Sequence, residues 1–143
     1  MRETARYWNV ITFQPYTGHG TVTELRWRGE AFAFAIAVDD CDGVFLSVDI
    51  DVCDPAHAPG TGTPEPGGLS ARQLLDAVRR ICYELPVAGI DVVEVAPPYD
   101  HADITSSLAN RVVLEALSAL ARRRLDAAAG TTWDPRRPLL DGR

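Results

Sequence analysis

The stretch 47-SVDIDVCDPAHAPGTGTPEPGG-68 decides the fold, because a buried strand is predicted to end in it and a stiff loop to begin. It places Asp49, Asp51 and Asp54 within six residues, at the end of the apolar run 44-VFLSVD-49. A continuous apolar run of this length is typical of a strand buried on both faces. The prolines and glycines that follow exclude a helix or strand from the loop. The sequence therefore predicts a cluster of acids at the carboxyl end of a buried strand.

Length and composition indicate a single intracellular domain. The 143 residues suffice for one core, and 46% of them are hydrophobic, which excludes disorder as the default. The net charge of −6 is opposite in sign to that of nucleic-acid binders. Cys41, Cys53 and Cys82 have no metal-binding spacing, and no signal peptide or membrane-length apolar run follows Met1. We therefore expect residues 1–143 to form one cytoplasmic domain with reduced thiols and no nucleic-acid or membrane partner.

The residues after the loop predict a helix and then a second strand. Ser70 and Gln73 have the spacing of a capping box, and the apolar residues that follow at helical spacing predict a helix over about 70–84. Residues 87–95 form another apolar run, stopped by two prolines, and predict a second buried strand. Strand, helix and strand in this order are typical of an α/β fold, with a parallel sheet and flanking helices.

A second amphipathic helix is predicted to run to about residue 124. Thr105 or Ser106 is its candidate N-cap, and three arginines at 122–124 suit its last turn because they offset the helix macrodipole. The apolar residues predicted to face the core are Leu108, Val112, Leu117 and Leu120.

The first third of the chain has a less decisive pattern. Residues 1–22 show no clear period and indicate either irregular structure or a short strand at 8–13. Within residues 23–38, the alternating apolar residues that end at Ile36 and Val38 favour a strand, whereas the alanines between them fit a helix equally well. With only two clear strands, the chain is expected to form part of a larger sheet.

Two of the three clustered acids are candidate metal ligands. Side chains alternate along a strand, so Asp49 and Asp51 are predicted to point to the same side. The carboxyl ends of strands form the usual ligand-binding edge of an α/β sheet, and carboxylates there are oxygen donors suited to Mg²⁺ or Mn²⁺. The alternative is that the acids only accept hydrogen bonds from loop amides, as Asp54 is expected to do before Pro55.

Glu94 is the third candidate site residue. It lies among apolar neighbours in 92-VVEVAPP-98, at the end of the second predicted strand. Burying an unpaired carboxylate is strongly unfavourable, so Glu94 is expected to have a partner. A structural arginine, a metal ion and a cationic ligand all fit this requirement.

The opening stretch and the later segment 91-DVVEVAPPYDHADITSSLANRVVLEAL-117 together resemble the ureohydrolase family, which includes arginase, agmatinase and guanidinobutyrase. The agmatinase-like branch fits best, through PGTGTPEPGGLS and EVAPPYDHADIT. The resemblance covers about residues 23–124 and leaves 1–22 and 125–143 unmatched. It also favours a helix for residues 23–38, because the family has a helix before this strand.

The resemblance implies the C-terminal portion of an arginase-type α/β sandwich, with two Mn²⁺ ions at the strand ends. Asp49 matches an aspartate that bridges both metals, Asp51 an aspartate that binds one of them, and Glu94 a glutamate that pairs with the substrate guanidinium. The implied reaction is Mn-dependent hydrolysis of a guanidino compound to urea and an amine, by a hydroxide that the two metals generate near neutral pH.

The chain also departs from the family. The upstream ligand motifs GGDHS and DAHxD do not occur in it. The segment 18-GHGT-21 resembles a later family segment that carries a catalytic histidine, but it lies too close to Asp49 for the family spacing, so His19 is assigned no role. We therefore expect an incomplete site that is inactive alone. The alternative is a non-catalytic truncated subunit or interaction module, which forms homo-oligomers or associates with a full-length relative.

Overall fold

The structure is a computed structural model that describes residues 11–15, 22–26, 35–38 and 43–131. Its elements in chain order are β1 (Ile11–Pro15), β2 (Val22–Arg26), β3 (Ala35–Val38), β4 (Val44–Asp49), α1 (Ala71–Glu84), β5 (Val87–Val93) and α2 (Ile104–Ala129). Three predictions fall on positions outside the described residues: His19, Cys41 and the start of the strand predicted at 8–13. Neither described helix is long and apolar enough to cross a membrane.

The main sheet has the strand order β1-β4-β5. β4 and β5 are parallel, and Asp49 lies opposite Val93 at the end of their ladder. The predicted parallel pair and the α/β class are therefore confirmed. β1 runs antiparallel to β4, with Ile11 opposite Val48, so the described part of the strand predicted at 8–13 is a strand, and it continues to Pro15.

The helix favoured for residues 23–38 is wrong. β2 and β3 are strands, and they pair antiparallel in a separate two-stranded sheet. The two-residue alternation of apolar side chains up to Ile36 and Val38 is the pattern of a strand, and it outweighs the helix propensity of the intervening alanines. The resemblance therefore favoured the wrong element for the described residues of this segment.

One buried cluster joins the sheet to both helices. In β4, Val44, Leu46 and Val48 are buried, while the residues between them are half-buried. Leu46 and Val48 belong to one cluster with apolar residues of α1 and α2, so the helices cover this face of β4. Burying apolar surface in this way is the main favourable contribution to folding.

Helix α1 begins where the capping box predicts. The hydroxyl of Ser70 accepts a hydrogen bond from the backbone N–H of Gln73, and the Gln73 side chain accepts one from the N–H of Ser70. These two bonds satisfy N–H groups that have no partner within the helix. The predicted helix over 70–84 is confirmed, with Ser70 as its cap.

Helix α2 differs from its prediction at both ends. Thr105 and Ser106 lie inside its first turn and are not its caps, because the Asp100 carboxylate accepts hydrogen bonds from their backbone N–H groups at 2.9 and 2.7 Å. The helix continues past residue 124 to Ala129 and ends at Gly130, whose φ of 65° is the left-handed conformation common after helices. Arg122 therefore lies inside the helix, where it pairs with Asp126.

The inner face predicted for α2 is correct except at one position. Leu108 and Val112 are buried and Leu120 is half-buried, but Leu117 is 57% exposed. The buried positions of α2 include Ala116 and Ala119, so the core-facing stripe lies on the other side of the helix from Leu117. Apolar spacing alone does not distinguish two apolar stripes on one helix.

The prediction of a second strand buried on both faces is wrong. The side chains of β5 are half-buried or exposed along its whole length. Within the described part of the chain, β5 pairs on one edge only, with β4. A strand at the edge of a sheet lacks the second neighbour that its apolar sequence is suited to.

Candidate functional site

Asp49 and Asp51 meet at the carboxyl end of β4. Asp49 is the last residue of the strand and caps a short 3₁₀ turn, Ile50–Val52, in which Asp51 lies. The prediction that both aspartates extend from one strand is wrong, because the strand has ended before Asp51. The turn nevertheless brings them together, since the backbone N–H of Asp51 donates to Oδ1 of Asp49 at 3.2 Å.

The turn is anchored by its apolar residues. Ile50 and Val52 are buried in the core, whereas Asp49 and Asp51 remain half-buried. Apolar and acidic residues therefore still alternate in burial after the strand has ended. This alternation keeps both carboxylates at the edge of the sheet, where water and ligands have access.

Thr63 is a site residue that the sequence did not indicate. Its hydroxyl donates to Oδ2 of Asp51 at 2.7 Å, although the two residues lie twelve positions apart in the sequence. The bond orients the Asp51 carboxylate. The sequence carries no signal for this contact, because it joins two residues through the fold of the loop.

Asp54 holds the loop rather than a ligand. Its carboxylate accepts hydrogen bonds from the backbone N–H of Ala56 at 2.9 Å and of Gly67 at 2.8 Å. These backbone hydrogen bonds keep the pKa of the Asp54 carboxyl below its usual value. The predicted turn-capping role of Asp54 is confirmed.

Glu94 follows the end of β5, at the same edge of the sheet as Asp49. The parallel register places Asp49 opposite Val93, the last residue of β5, and Glu94 comes directly after it. The expectation that Glu94 is buried is wrong, because its side chain is exposed. The strand that carries it lies at an edge of the described sheet, so this carboxylate needs no buried partner.

The backbone of Glu94 is unusual. Its φ is 62°, in the left-handed region that residues other than glycine adopt at a cost of about 1–2 kcal/mol. Such a conformation persists only where surrounding contacts hold it, and it is common at ligand sites. The chain turns away from the sheet at this residue, which ends the ladder and leaves the carboxylate at the edge.

The electrostatic environment favours a cation at this edge. Burial, a side-chain hydrogen bond with Asp51 and the nearby charges of Asp51 and Glu94 together raise the pKa of the Asp49 carboxyl to about 6, against a lowering effect of the Asp51 backbone hydrogen bond. Within residues 43–131, no lysine, arginine or histidine forms an ion pair with Asp49, Asp51 or Glu94. The three carboxylates therefore repel one another, and a bound cation would relieve this repulsion.

The raised pKa of Asp49 predicts a pH-dependent stability. Below about pH 4 Asp49 is protonated in both the folded and unfolded chain, whereas between about pH 4 and 6 only the folded chain retains the proton. Stability should therefore fall as the pH rises through this window. Asp49→Asn should remove this loss, so that the variant gains on the order of 1 kcal/mol over the wild type above pH 6, after allowance for solvent screening.

The measurement is the free energy of unfolding in urea, with a chelator present, at pH 4 and pH 7. Asp91→Asn is the control, because Asp91 is an exposed carboxylate on the adjacent strand. Equal pH dependence in the Asp49→Asn variant and the wild type would contradict the assignment of the raised pKa to Asp49.

The donor set fits part of a metal site. Two carboxylates at one turn, one of them oriented by Thr63, are oxygen donors of the kind that Mg²⁺ and Mn²⁺ prefer. The described residues contain no group of three or more His, Cys, Asp or Glu side chains arranged to hold a metal ion. Asp49 and Asp51 would therefore need further ligands to hold a metal tightly.

The described cysteines and histidines take no part in this arrangement. Cys53 and Cys82 are free and buried, and burial raises the pKa of each thiol to about 12, so neither is a nucleophile near neutral pH. Cys82 lies in the core cluster as expected. His57 and His101 are exposed in loops after β4 and β5.

Comparison with known proteins identifies relatives of the part of the chain that contains these three acids. A model of the Arginase family matches residues 19–119. Proclavaminate amidinohydrolase of Streptomyces clavuligerus is 56% identical over 79 residues, which are 55% of this chain and 25% of that protein. Agmatinase of Bacillus subtilis (strain 168) is 49% identical over 75 residues, which are 52% of this chain and 26% of that protein.

Solved structures agree with these relatives. The crystal structure of formimidoylglutamase from Bacillus subtilis superposes with a TM-score of 0.57 at 46% sequence identity. The superposition covers 59% of this chain and 26% of that one. The chain thus spans about a quarter of the length of the relatives it matches.

Proposed function

Because the chain belongs to the arginase family, we propose that it carries part of the active site of an agmatinase-like ureohydrolase, which cleaves a guanidino compound to urea and an amine. Asp49 and Asp51 are its metal ligands in this proposal, and Glu94 binds the substrate. Mn²⁺ is the proposed metal, and a further part of an arginase-type fold supplies the remaining ligands. The proposed location is the cytoplasm, which is consistent with the free thiols of Cys53 and Cys82.

The observation that carries the proposal is the meeting of three carboxylates at one sheet edge. The parallel pairing of β4 with β5 brings Asp49 and Asp51 beside Glu94. No described cation offsets their charge, so the edge suits divalent metals and a planar organic cation. If the acids had a purely structural role, nothing would offset the repulsion between them.

The two kinds of carboxylate have different tasks. Asp49 and Asp51 are half-buried and oriented by hydrogen bonds, as metal ligands must be. Glu94 is exposed and lies beyond the strand end, where two carboxylate oxygens can accept paired N–H groups from a guanidinium. When bound, a pair of divalent ions activates water as a nucleophile near neutral pH.

The proposal is tested by a chimaera of Bacillus subtilis agmatinase in which the matching 75 residues are replaced by those of this chain. We expect Mn-dependent release of urea from agmatine by the chimaera and none from the 143-residue chain alone, because two carboxylates cannot hold a metal pair. The readout is urea, with arginine and guanidinobutyrate as alternative substrates. A folded chimaera that binds Mn²⁺ but hydrolyses none of the three would contradict the proposal.

A second candidate function is a non-catalytic subunit that associates with another arginase-family chain, either a second copy or a longer relative. The observation in its favour is an apolar stripe on the outer side of α2. Leu114, Leu117 and Leu125 are 51%, 57% and 67% exposed at helical spacing. Exposed apolar stripes of this kind commonly mark contact surfaces.

Leu117→Glu should therefore reduce self-association of the chain, because it introduces a charge into the middle of this stripe. Light scattering after gel filtration should show a species larger than a monomer for the wild type and a smaller one for the variant. Ala127→Glu is the matched control, since it adds the same charge at an exposed position away from the three leucines. A wild-type chain that remains a monomer at high concentration would exclude the homo-oligomer.

A further inference from the structure

Gly60 joins the loop after β4 to the segment after β5. Its carbonyl accepts a hydrogen bond from the backbone N–H of Ala96 at 2.8 Å. Its own N–H donates to the hydroxyl of the buried Thr105 at 2.7 Å. Both backbone groups of one residue are thus used by two different parts of the chain, one just after Glu94 and one in the first turn of α2.

There is no room for a side chain at position 60. A Cβ atom there would lie 2.4 Å from Cβ and 2.8 Å from Cα of Asp100. Asp100 cannot move away freely, because its carboxylate accepts hydrogen bonds from Thr105 and Ser106. Although burial alone would raise the pKa of the Asp100 carboxyl, these hydrogen bonds lower it to about 2, so the contact is with a firmly held aspartate.

The same loop reaches the metal-ligand candidates. Thr63, three residues after Gly60, donates to the Asp51 carboxylate. On the other side, Ala96 lies two residues after Glu94, whose left-handed backbone needs contacts to hold it. Among the backbone hydrogen bonds outside the helices and strands, the bond between Ala96 and Gly60 is the first after Glu94.

We infer that Gly60 is a positioning residue: its close fit against Asp100 and its bonds to Ala96 and Thr105 hold Glu94 in the conformation that presents its carboxylate beside Asp49 and Asp51. The functional consequence of this inference rests on the proposed substrate-binding role of Glu94. The linkage itself is a property of the chain and can be measured without substrate or metal.

Amide hydrogen exchange of the 143-residue chain tests the contacts. In Gly60→Ala, the amides of Ala96, Thr105 and Ser106 should exchange about tenfold faster or more. The amides of α1 should keep their protection, because the substitution favours local opening around residue 60 and not unfolding of the whole chain. Gly62→Ala is the matched control, since a Cβ there meets nothing within 4 Å. Equal acceleration throughout the chain, or none at the three amides, would overturn the inference.

A second variant serves if Gly60→Ala does not fold. Thr105→Val removes the acceptor for the Gly60 N–H with almost no change in shape, and it should raise exchange at residue 60 and Ala96 without a clash. Unchanged exchange at both amides would count against the inference.

A double-mutant cycle tests whether the contacts act on Glu94. Glu94→Gly should lower the unfolding equilibrium constant of the wild-type chain about threefold, because glycine adopts a positive φ without the steric penalty. In the Thr105→Val background this gain should vanish, since Glu94 is then free to relax. The same gain in both backgrounds would show that Gly60 does not hold Glu94, even if the chain belongs to an active ureohydrolase.

Discussion

Asp49→Ala and Asp51→Ala are each expected to lower urea release by the agmatinase chimaera more than about 100-fold, because outer-shell partners of metal ligands alone are worth 10- to 100-fold. The Asp49 carboxylate accepts a hydrogen bond from the Asp51 N–H, and the Asp51 carboxylate accepts one from the Thr63 hydroxyl. Each carboxylate is therefore oriented before a metal binds. Removing either one removes a charged donor as well as a negative charge that offsets the cations.

The measurement has two parts, the rate of urea release and the Mn²⁺ content of the purified protein. Both should fall together in the two variants. Asp91→Ala is the control, since it removes an exposed carboxylate from β5 and should leave both quantities unchanged. An Asp49→Ala chimaera with full activity and full Mn²⁺ content would refute the assignment of Asp49 as a ligand.

Thr63→Val measures how much the orientation of the Asp51 carboxylate contributes to the activity of the chimaera. The valine keeps the shape of Thr63 and removes the hydroxyl that donates to Asp51. The loss of activity should be smaller than that in Asp51→Ala, in the range of 10- to 100-fold for an outer-shell partner. Restoration of activity by excess Mn²⁺ would indicate that the hydroxyl acts through metal affinity.

Local patterns predicted the parts of the fold that local physics determines. The capping box at Ser70 and Gln73 fixed the start of α1, because both of its hydrogen bonds lie within four residues. The apolar run that ends at Asp49 predicted β4, because the whole pattern lies within six consecutive residues. The acids at the strand end were found because strand ends in α/β sheets are where ligands bind.

Contacts between distant residues explain what the sequence did not predict. The N-terminal cap of α2 comes from Asp100, five residues before Thr105 and beyond two residues in the left-handed conformation, so the simple cap pattern selected the wrong residues. Thr63 lies twelve positions from Asp51 in the sequence, and Gly60 lies 45 positions from Thr105. No spacing rule for helices or strands relates residues so far apart.

Burial was mispredicted where a strand or helix lacks a neighbour. The sequence of β5 is apolar enough for the centre of a sheet, yet the structure describes a partner on one edge only. Leu117 is likewise apolar and exposed. Both surfaces are consistent with a chain that spans about a quarter of the length of its relatives.

Glu94→Gln is expected to lower kcat/KM of the chimaera roughly 10- to 150-fold, which corresponds to the loss of about 1.5–3 kcal/mol for a hydrogen bond to a charged group. Glutamine keeps the size of Glu94 but offers one acceptor oxygen and no charge, so it cannot pair with both N–H groups of a guanidinium. Its Mn²⁺ content should stay at the wild-type level, which separates this variant from Asp49→Ala. Glu65→Gln, at an exposed carboxylate of the loop, is the control. Loss of Mn²⁺ in Glu94→Gln would make Glu94 a metal ligand, and unchanged kcat/KM would remove it from the substrate site.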